Sequence, residues 1–342
     1  MRNLGLLAAL LASATIAQPP AGYYDSAAGL TGEPLRESLR DIIGPHTVIQ
    51  YSQLWSAFSS TDRKPNNTVW DIYSDVPDGT PPYSYAFVTD QCGTYNSEAD
   101  CFNREHTFPV SWFNDVPPMN SDLFHIYPTD AWVNQQRGSW PYGEVTGAAF
   151  TSQNGSTRGD CNWPGCTGTV FEPIDAYKGD LARGYFYMLT RYMNEAVSWP
   201  APILNSGEFV GWAESLLLAW HTQDPVSQKE QDRNNAVYQL QGNRNPYIDN
   251  PTWVYSIWGP QASVEETPLA GAHLFVSGDE LWVQLPDAMG GTTVEVFALD
   301  GRKVNSITFQ GSFTQMSLPS VEGGYVAVVT RATERRAFRF VR

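Results

Sequence analysis

A carboxylate, an imidazole, an amide and a guanidinium, those of Glu105, His106, Asn134 and Arg137, fall close together in this chain. A neutral imidazole, with an ordinary pKa of about 6.5, takes a proton from water near neutral pH. Glu105 is a hard anionic oxygen donor suited to Mg²⁺ or a similar divalent ion such as Mn²⁺ or Ca²⁺. Asn134 offers an amide oxygen, which ligates without adding charge that would repel a phosphate. The run from Val133 to Arg137 predicts a helix capped by Thr129 or Asp130. Asn134 and Arg137 then share a face, so the guanidinium can reach a phosphate beside the metal. The set suits phosphodiester hydrolysis with one divalent metal. One constraint applies, because adjacent side chains on a strand point to opposite faces. Glu105 and His106 serve one phosphate only if the strand ends there, as Pro109 downstream allows, or if the pair straddles the reacting group.

These residues need a scaffold, and the chain divides into two kinds of pattern. From about Gly32 to Gly259 it reads as a mixed, helix-rich domain. Leu35 to Ile43 has helical spacing and stops at Gly44-Pro45. Ser52 to Phe58 predicts a short helix, and Val69 to Tyr73 a brief strand. Ile174-Asp175 to Glu195 is the clearest helix, with Leu181, Tyr185, Met188, Leu189 and Tyr192 on one face. Phe209 to His221 and Gln228 to Gln241 predict two more, the latter closed by Gly242. After Pro260 the pattern becomes short β-type runs: Leu274 to Val276, Leu281 to Leu285, Thr293 to Phe297, Tyr325 to Val329 and Ala337 to Val341. Asp300-Gly301 is a hairpin signal among them. The expected fold class is therefore α+β: a catalytic domain over 32–260, then a small all-β sandwich over 268–342, joined through Gln261 to Pro268. No chemical cluster falls in the sandwich.

Residues 1–17 read as a signal peptide, with Arg2, an apolar run from Leu4 to Ala12 and a small-residue cleavage site at Thr15-Ile16-Ala17. No stretch is apolar over the ~20 residues that a membrane-spanning helix needs, so no stable membrane insertion is expected. Export permits disulfides among Cys92, Cys101, Cys161 and Cys166. Local pairing, 92–101 and 161–166, is the simplest connectivity, and a four-thiolate zinc site is the competing arrangement. The formal charge is −15, nearly all of it in residues 1–264. That excludes the basic footprint of a tight, sequence-reading nucleic-acid binder. It permits a hydrolase that meets its substrate transiently and borrows positive charge from a bound cation.

The strings Asn103-Arg104-Glu105-His106-Thr107-Phe108-Pro109 and Asp122 to Val145 resemble those of the bacterial endonuclease I family, of the ββα-metal (His-Me finger) type. The resemblance extends to Val69-Trp70-Asp71-Ile72-Tyr73-Ser74-Asp75 and to Gln241 to Asp249. One departure is Phe124, where the family pattern has the first of two histidines and only His125 remains. The resemblance implies His106 as general base and Glu105 and Asn134 as ligands of Mg²⁺. Water would attack in line and leave 5′-phosphate ends on DNA, and also on RNA, with little sequence preference. It leaves Arg137 as the choice for steadying the phosphate, with Arg104 as its competitor. His125 is read as structural, Asp71, Asp75 and Asp122 as turn formers, Trp132, Trp140 and Tyr142 as packing residues, and Arg244 as part of a tight turn or a DNA contact.

The terminal β runs, with Val294-Glu295-Val296-Phe297, Asp300-Gly301-Arg302 and Phe340-Val341-Arg342, resemble type IX secretion sorting domains. That implies periplasmic transit, contact with secretion machinery, and release or surface attachment; a monomer is expected. Two other classes compete. A secreted glycoside hydrolase would need two carboxylates facing across a cleft. A non-catalytic surface-binding protein could have kept the scaffold, although an intact Glu105, His106 and Asn134 argues against it.

Overall fold

The computed structural model describes residues 19–259, 269, 271–285, 291–331 and 334–342. The signal-peptide segment 1–17 and the linker Gln261 to Pro268 lie outside the described residues. The chain separates into two compact units, with the division after Gly259. The architecture is α+β, as expected: a helical unit with small antiparallel sheets, then an all-β unit. Among the described residues no helix is long and apolar enough to cross a membrane.

In the first unit the helices are α1 (Gly32–Ile43), α2 (Leu54–Thr61), α3 (Ala131–Arg137), α4 (Lys178–Arg191), α5 (Met193–Ala196), α6 (Gly211–Gln223), α7 (Gln228–Gln241), α8 (Pro246–Asp249) and α9 (Thr252–Trp258). Its strands are β1 (Phe102–His106), β2 (Ile126–Asp130), β3 (Val145–Thr151), β4 (Thr157–Cys161), β5 (Thr169–Glu172), β6 (Leu204–Asn205) and β7 (Glu208–Phe209). Helix α4 is the axis of this unit and is buried from Lys178 to Thr190, with α1 and α6 packed on it. Burial all round explains its composition, because Leu181, Tyr185, Phe186, Met188 and Leu189 face the core on every side. Gly179 is required at its start: a Cβ there would lie 2.0 Å from the Asp224 carbonyl oxygen.

Local signals predict the helices that close on themselves. Ser227 and Glu230 form a reciprocal capping box at the start of α7, and Gly242 ends it at φ 78°. Tertiary demands override the rest. The helix expected from Ile174 to Glu195 is a 3₁₀ turn, α4, a break at Tyr192 and then α5. At the break, the Tyr192 hydroxyl donates to Asp122 Oδ2 at 2.8 Å. The helix expected from Phe209 starts at Gly211, since Phe209 belongs to the β6–β7 hairpin. The strand expected over Val69 to Tyr73 is a single bridge from Val69 to Arg63 followed by a turn. The Asp71 carboxylate drives that turn by accepting Tyr73 N–H at 2.7 Å and Asp130 N–H at 2.8 Å.

Both local disulfides are present, Cys92–Cys101 and Cys161–Cys166, with Cα separations of 5.6 and 5.9 Å. Among the described residues no cysteine is free for a zinc site.

The second unit is a sandwich of β8 (His273–Ser277), β9 (Glu280–Gln284), β10 (Thr292–Ala298), β11 (Lys303–Phe309), β12 (Phe313–Ser317), β13 (Gly324–Arg331) and β14 (Glu334–Val341). One sheet has the order β11-β10-β13-β14 and the other β12-β9-β8. Leu281, Val283, Val294, Val296, Ala327 and Val329 fill the space between them. The Asp300-Gly301 turn joins β10 to β11, with Gly301 at φ 84°. Strands β11 and β12 were not expected; both lie at sheet edges and are largely polar.

Beside α4, His221 is wedged against a cation. Its Nε2 lies 3.0 Å from the Pro251 carbonyl and its Nδ1 3.4 Å from Arg183 Nη1. The carbonyl accepts, so Nε2 carries the hydrogen and Nδ1 is the lone pair facing Arg183. Burial, then repulsion from Arg183, depresses its pKa to about 4. The unfolded chain, at about 6.5, takes up this proton first, so stability is lost as pH falls from 6.5 towards 4. His221→Gln should therefore show a shallower fall in Tm between pH 7 and pH 5 than the parent. Parallel pH profiles of thermal unfolding would contradict this.

Candidate active site

Strands β1 and β2 pair antiparallel, with Glu105 opposite Tyr127 and His106 opposite Ile126. Helix α3 follows β2 at once, and Asp130 rather than Thr129 caps it, accepting Val133 N–H at 2.8 Å. The local order is therefore strand, strand, helix. The alternation of β1 sorts its side chains. On one face, Asn103 and Glu105 meet α3: Asn134 Nδ2 donates to Asn103 Oδ1 at 2.7 Å, and Arg137 Nη1 lies 3.1 Å from Glu105 Oε1. On the other, Phe102, Arg104 and His106 meet the segment around α2. Phe102 packs edge-on to Trp55 at 5.5 Å, Arg104 stacks on Tyr51, and the Tyr51 and His106 rings lie 5.9 Å apart and nearly parallel. Both faces open into one cleft of about 390 Å³, which Tyr51, Arg104, Glu105, His106, Asn134 and Arg137 help to line. The pair thus straddles the strand edge.

His106 is 9% exposed. Burial, reinforced by His125, lowers its pKa to about 3, against a smaller opposing effect of the Asn120 carbonyl. It is a neutral imidazole at ordinary pH. Its Nε2 is 3.2 Å from the Asn120 carbonyl oxygen. That oxygen can only accept, so the hydrogen sits on Nε2 and the lone pair on Nδ1. His125 lies behind it, ring centroids 5.6 Å apart, with Nε2 2.6 Å from the Met119 carbonyl. Phe124 is buried and packs on Tyr187 at 4.7 Å.

Burial pushes the Glu105 carboxyl up to about 7, against the pull of Arg137 and Tyr73. Its Oε1 takes both partners, the Tyr73 hydroxyl at 2.9 Å and Arg137. Oε2 has neither. The amide nitrogen of Asn134 is occupied by Asn103 and, at 3.5 Å, by the Arg104 carbonyl. Its Oδ1 is left over. The donor set is therefore one carboxylate oxygen and one amide oxygen, which fits a hard cation that keeps most of its water. Among the described residues no group of three or more His, Cys, Asp or Glu side chains forms a metal cluster, so a cation here would rest on these two oxygens.

Arg137 does reach the site, but from behind. It is 1% exposed, donates to the His106 carbonyl at 2.8 Å, to the Thr107 carbonyl and to Tyr185 Oη at 3.2 Å, and stacks on Tyr142. Arg104 is half-buried at the cleft and makes no ion pair among the described residues; its Nη1 donates to the Tyr51 carbonyl at 3.1 Å. Arg244 is locked to Asp249 at 2.7 Å, in a larger cleft of about 590 Å³ that lacks a carboxylate–imidazole–amide set. Asp71, Asp75 and Asp122 are more than turn formers. All three are buried, Asp75 on Lys64, Trp70 and Tyr177, and Asp122 on Tyr187, Tyr192 and Gln241. Tyr142 is core, Trp140 is 45% exposed, and Trp132 is half-buried. Sequence reasoning missed Tyr51, Tyr73, Asn103 and Asn120 as site partners. Tyr73 and Asn103 carried a signal, through their places in the Val69 to Asp75 and Asn103 to Pro109 strings.

The family comparison matches endonuclease I over residues 31–252, the stretch that contains the whole cleft. The chain belongs to the endonuclease I family. It is a nuclease, and the glycoside hydrolase and non-catalytic readings give way to that finding. Similar proteins include the extracellular ribonuclease of Bacillus subtilis, 33% identical over 247 residues, which cover 69% of this chain and 78% of the relative. The extracellular ribonuclease of Bacillus amyloliquefaciens matches to the same extent. An extracellular deoxyribonuclease of Aeromonas hydrophila is 27% identical over 131 residues, 38% of this chain and 50% of the relative.

Arg137→Met leaves the Glu105 carboxylate buried without its cation, a change that costs about 3–5 kcal/mol when a buried pair is broken from one side. Urea unfolding should show this loss, with Arg137→Lys intermediate. A stability equal to the parent's would move Arg137 out of the role of internal counter-ion.

Proposed function

We propose that this nuclease hydrolyses phosphodiester bonds of both DNA and RNA, with His106 as general base and Glu105 and Asn134 as the seat of one divalent cation, Mg²⁺ in the first instance. The observation that carries the reading is the shared cleft. It brings together a neutral imidazole with its lone pair on Nδ1 and two oxygens, Glu105 Oε2 and Asn134 Oδ1, that the protein leaves unclaimed. The strand–strand–helix order that holds them is the one expected of a ββα-metal nuclease.

His106 Nδ1 takes a proton from a water molecule as that water attacks phosphorus in line. The bond to the 3′ oxygen breaks, and the phosphate stays on the 5′ side. The Asn120 carbonyl holds the imidazole in the required tautomer, and Tyr51 stacks against it and limits its rotation. Arg137 and Tyr73 fix Glu105 through Oε1 and so aim Oε2. A bound cation would supply Lewis-acid stabilisation of charge on the phosphate oxygens. Because water rather than a ribose hydroxyl is the nucleophile, the sugar need not matter, in keeping with relatives named ribonuclease and deoxyribonuclease. Extracellular relatives support export, and the C-terminal sandwich, which among its described residues holds no metal-binding cluster, is assigned to sorting or attachment at the cell surface after passage through the periplasm.

Purified protein incubated with duplex DNA, single-stranded DNA and RNA should degrade all three with Mg²⁺ and none in excess EDTA. His106→Ala should lose about 10²–10⁴-fold in rate with unchanged far-UV circular dichroism. Undiminished cleavage in EDTA would remove the cation from the reading, and a near-parental rate for His106→Ala would remove the base.

A further inference from the structure

We infer that Arg104, stacked between Tyr51 and Trp55, binds the phosphate next to the one being cut, so that the cleft is built for a continuing strand rather than a lone phosphodiester. The inference rests on the nuclease reading and deepens it.

The guanidinium carbon of Arg104 lies 3.9 Å from the Tyr51 ring centroid and 4.6 Å from that of Trp55. Two rings from neighbouring segments therefore hold one cation, at about 0.5–1 kcal/mol each for partly exposed contacts. Among the described residues only one of its donors is used, on the Tyr51 carbonyl. A guanidinium presents five N–H donors, so most of its capacity remains for a ligand. The buried arginines of this unit are bound up differently: Arg36, Arg137, Arg183, Arg233 and Arg244 each pair with a carboxylate. In a chain of charge −15, a cation at the catalytic cleft that makes no ion pair among the described residues is where a polyanion is drawn. Asp115, which also lines the cleft, works against this and makes a specific positive contact more necessary.

Register decides which phosphate. Arg104 and His106 are two residues apart on the same face of β1, a separation of roughly 6–7 Å along the strand. Tyr51 bridges them, touching the guanidinium and the imidazole at once. With the scissile phosphate at His106, the guanidinium is one step along the nucleic-acid backbone. Arg137, buried with both Nη atoms engaged by carbonyls, Tyr185 and Glu105, cannot supply this contact.

The test compares two substrates with Mg²⁺ present: a dinucleoside monophosphate, which has no flanking phosphate, and a short fluorescein-labelled single-stranded oligodeoxynucleotide. Arg104→Gln should raise KM for the oligonucleotide about tenfold, change its kcat by less than about threefold, and leave the dinucleoside monophosphate unchanged. Anisotropy binding of the same oligonucleotide in EDTA, titrated with salt, should show a slope of log K against log salt reduced by about 0.7, the value for one phosphate on a single strand. Arg104→Lys, which keeps the charge, should restore that slope. Equal loss on both substrates would place Arg104 on the scissile phosphate and overturn the inference, as would an unchanged KM and salt slope. If the parent protein cut neither substrate, the nuclease reading would fall, while the binding slopes would still decide whether Arg104 meets a phosphate.

Discussion

The period-two alternation of one short strand governs this site. On β1, Glu105 must face α3 and His106 must face the opposite way, towards Tyr51 and His125. A reaction that needs both a cation and a base at one phosphorus would ordinarily be defeated by such an arrangement. Here the strand ends at His106, and the cleft wraps around its end, so the two faces meet in one space. On the proposed reading, the backbone sets the oxygens of Glu105 and Asn134 apart from the His106 imidazole, and the cleft joins them.

Each half is held by groups that do no chemistry themselves. Arg137 and Tyr73 both engage one oxygen of Glu105 and leave the other to the proposed cation. Asn103 does the same for Asn134 by engaging its nitrogen. The Asn120 carbonyl fixes the tautomer of His106. Burial raises the Glu105 pKa to about 7 against the pull of Arg137 and lowers that of His106 to about 3, so the imidazole is neutral at ordinary pH. For His106 this is the form a base requires. An enzyme with a strongly acidic surface can in this way confine its positive charge to the few places where a polyanion must be held.

Legibility from sequence followed the range of the interactions. Helix α7 and its glycine stop, and the Asp300-Gly301 hairpin, are set by bonds between residues a few positions apart, and they were read correctly. So was local disulfide pairing, the simplest connectivity for cysteines nine and five residues apart. The Val69 to Tyr73 strand was misread because its apolar pattern says nothing of Asp71, whose carboxylate ties the segment to Asp130. Strands β11 and β12 escaped notice because edge strands keep polar side chains on much of their surface. The break between α4 and α5 is invisible in a continuous helical pattern, since it coincides with the bond from Tyr192 to Asp122.

What the chain determined by itself is the cast: the Glu105–His106 dipeptide, Asn134 four positions into a capped helix, and the long family strings around them. These are statements about residue type and short spacing, which a linear text carries in full. The tertiary structure alone decided their stations. It turned Arg137 inward as a counter-ion, left Arg104 at the cleft with no ion pair among the described residues, and brought Tyr51 and Tyr73 to the site from far upstream. A guanidinium looks the same in sequence whether it will meet a buried carboxylate or solvent. Only the packing of α2, α3 and α4 around β1 settles which charge is neutralised inside and which is left for a substrate.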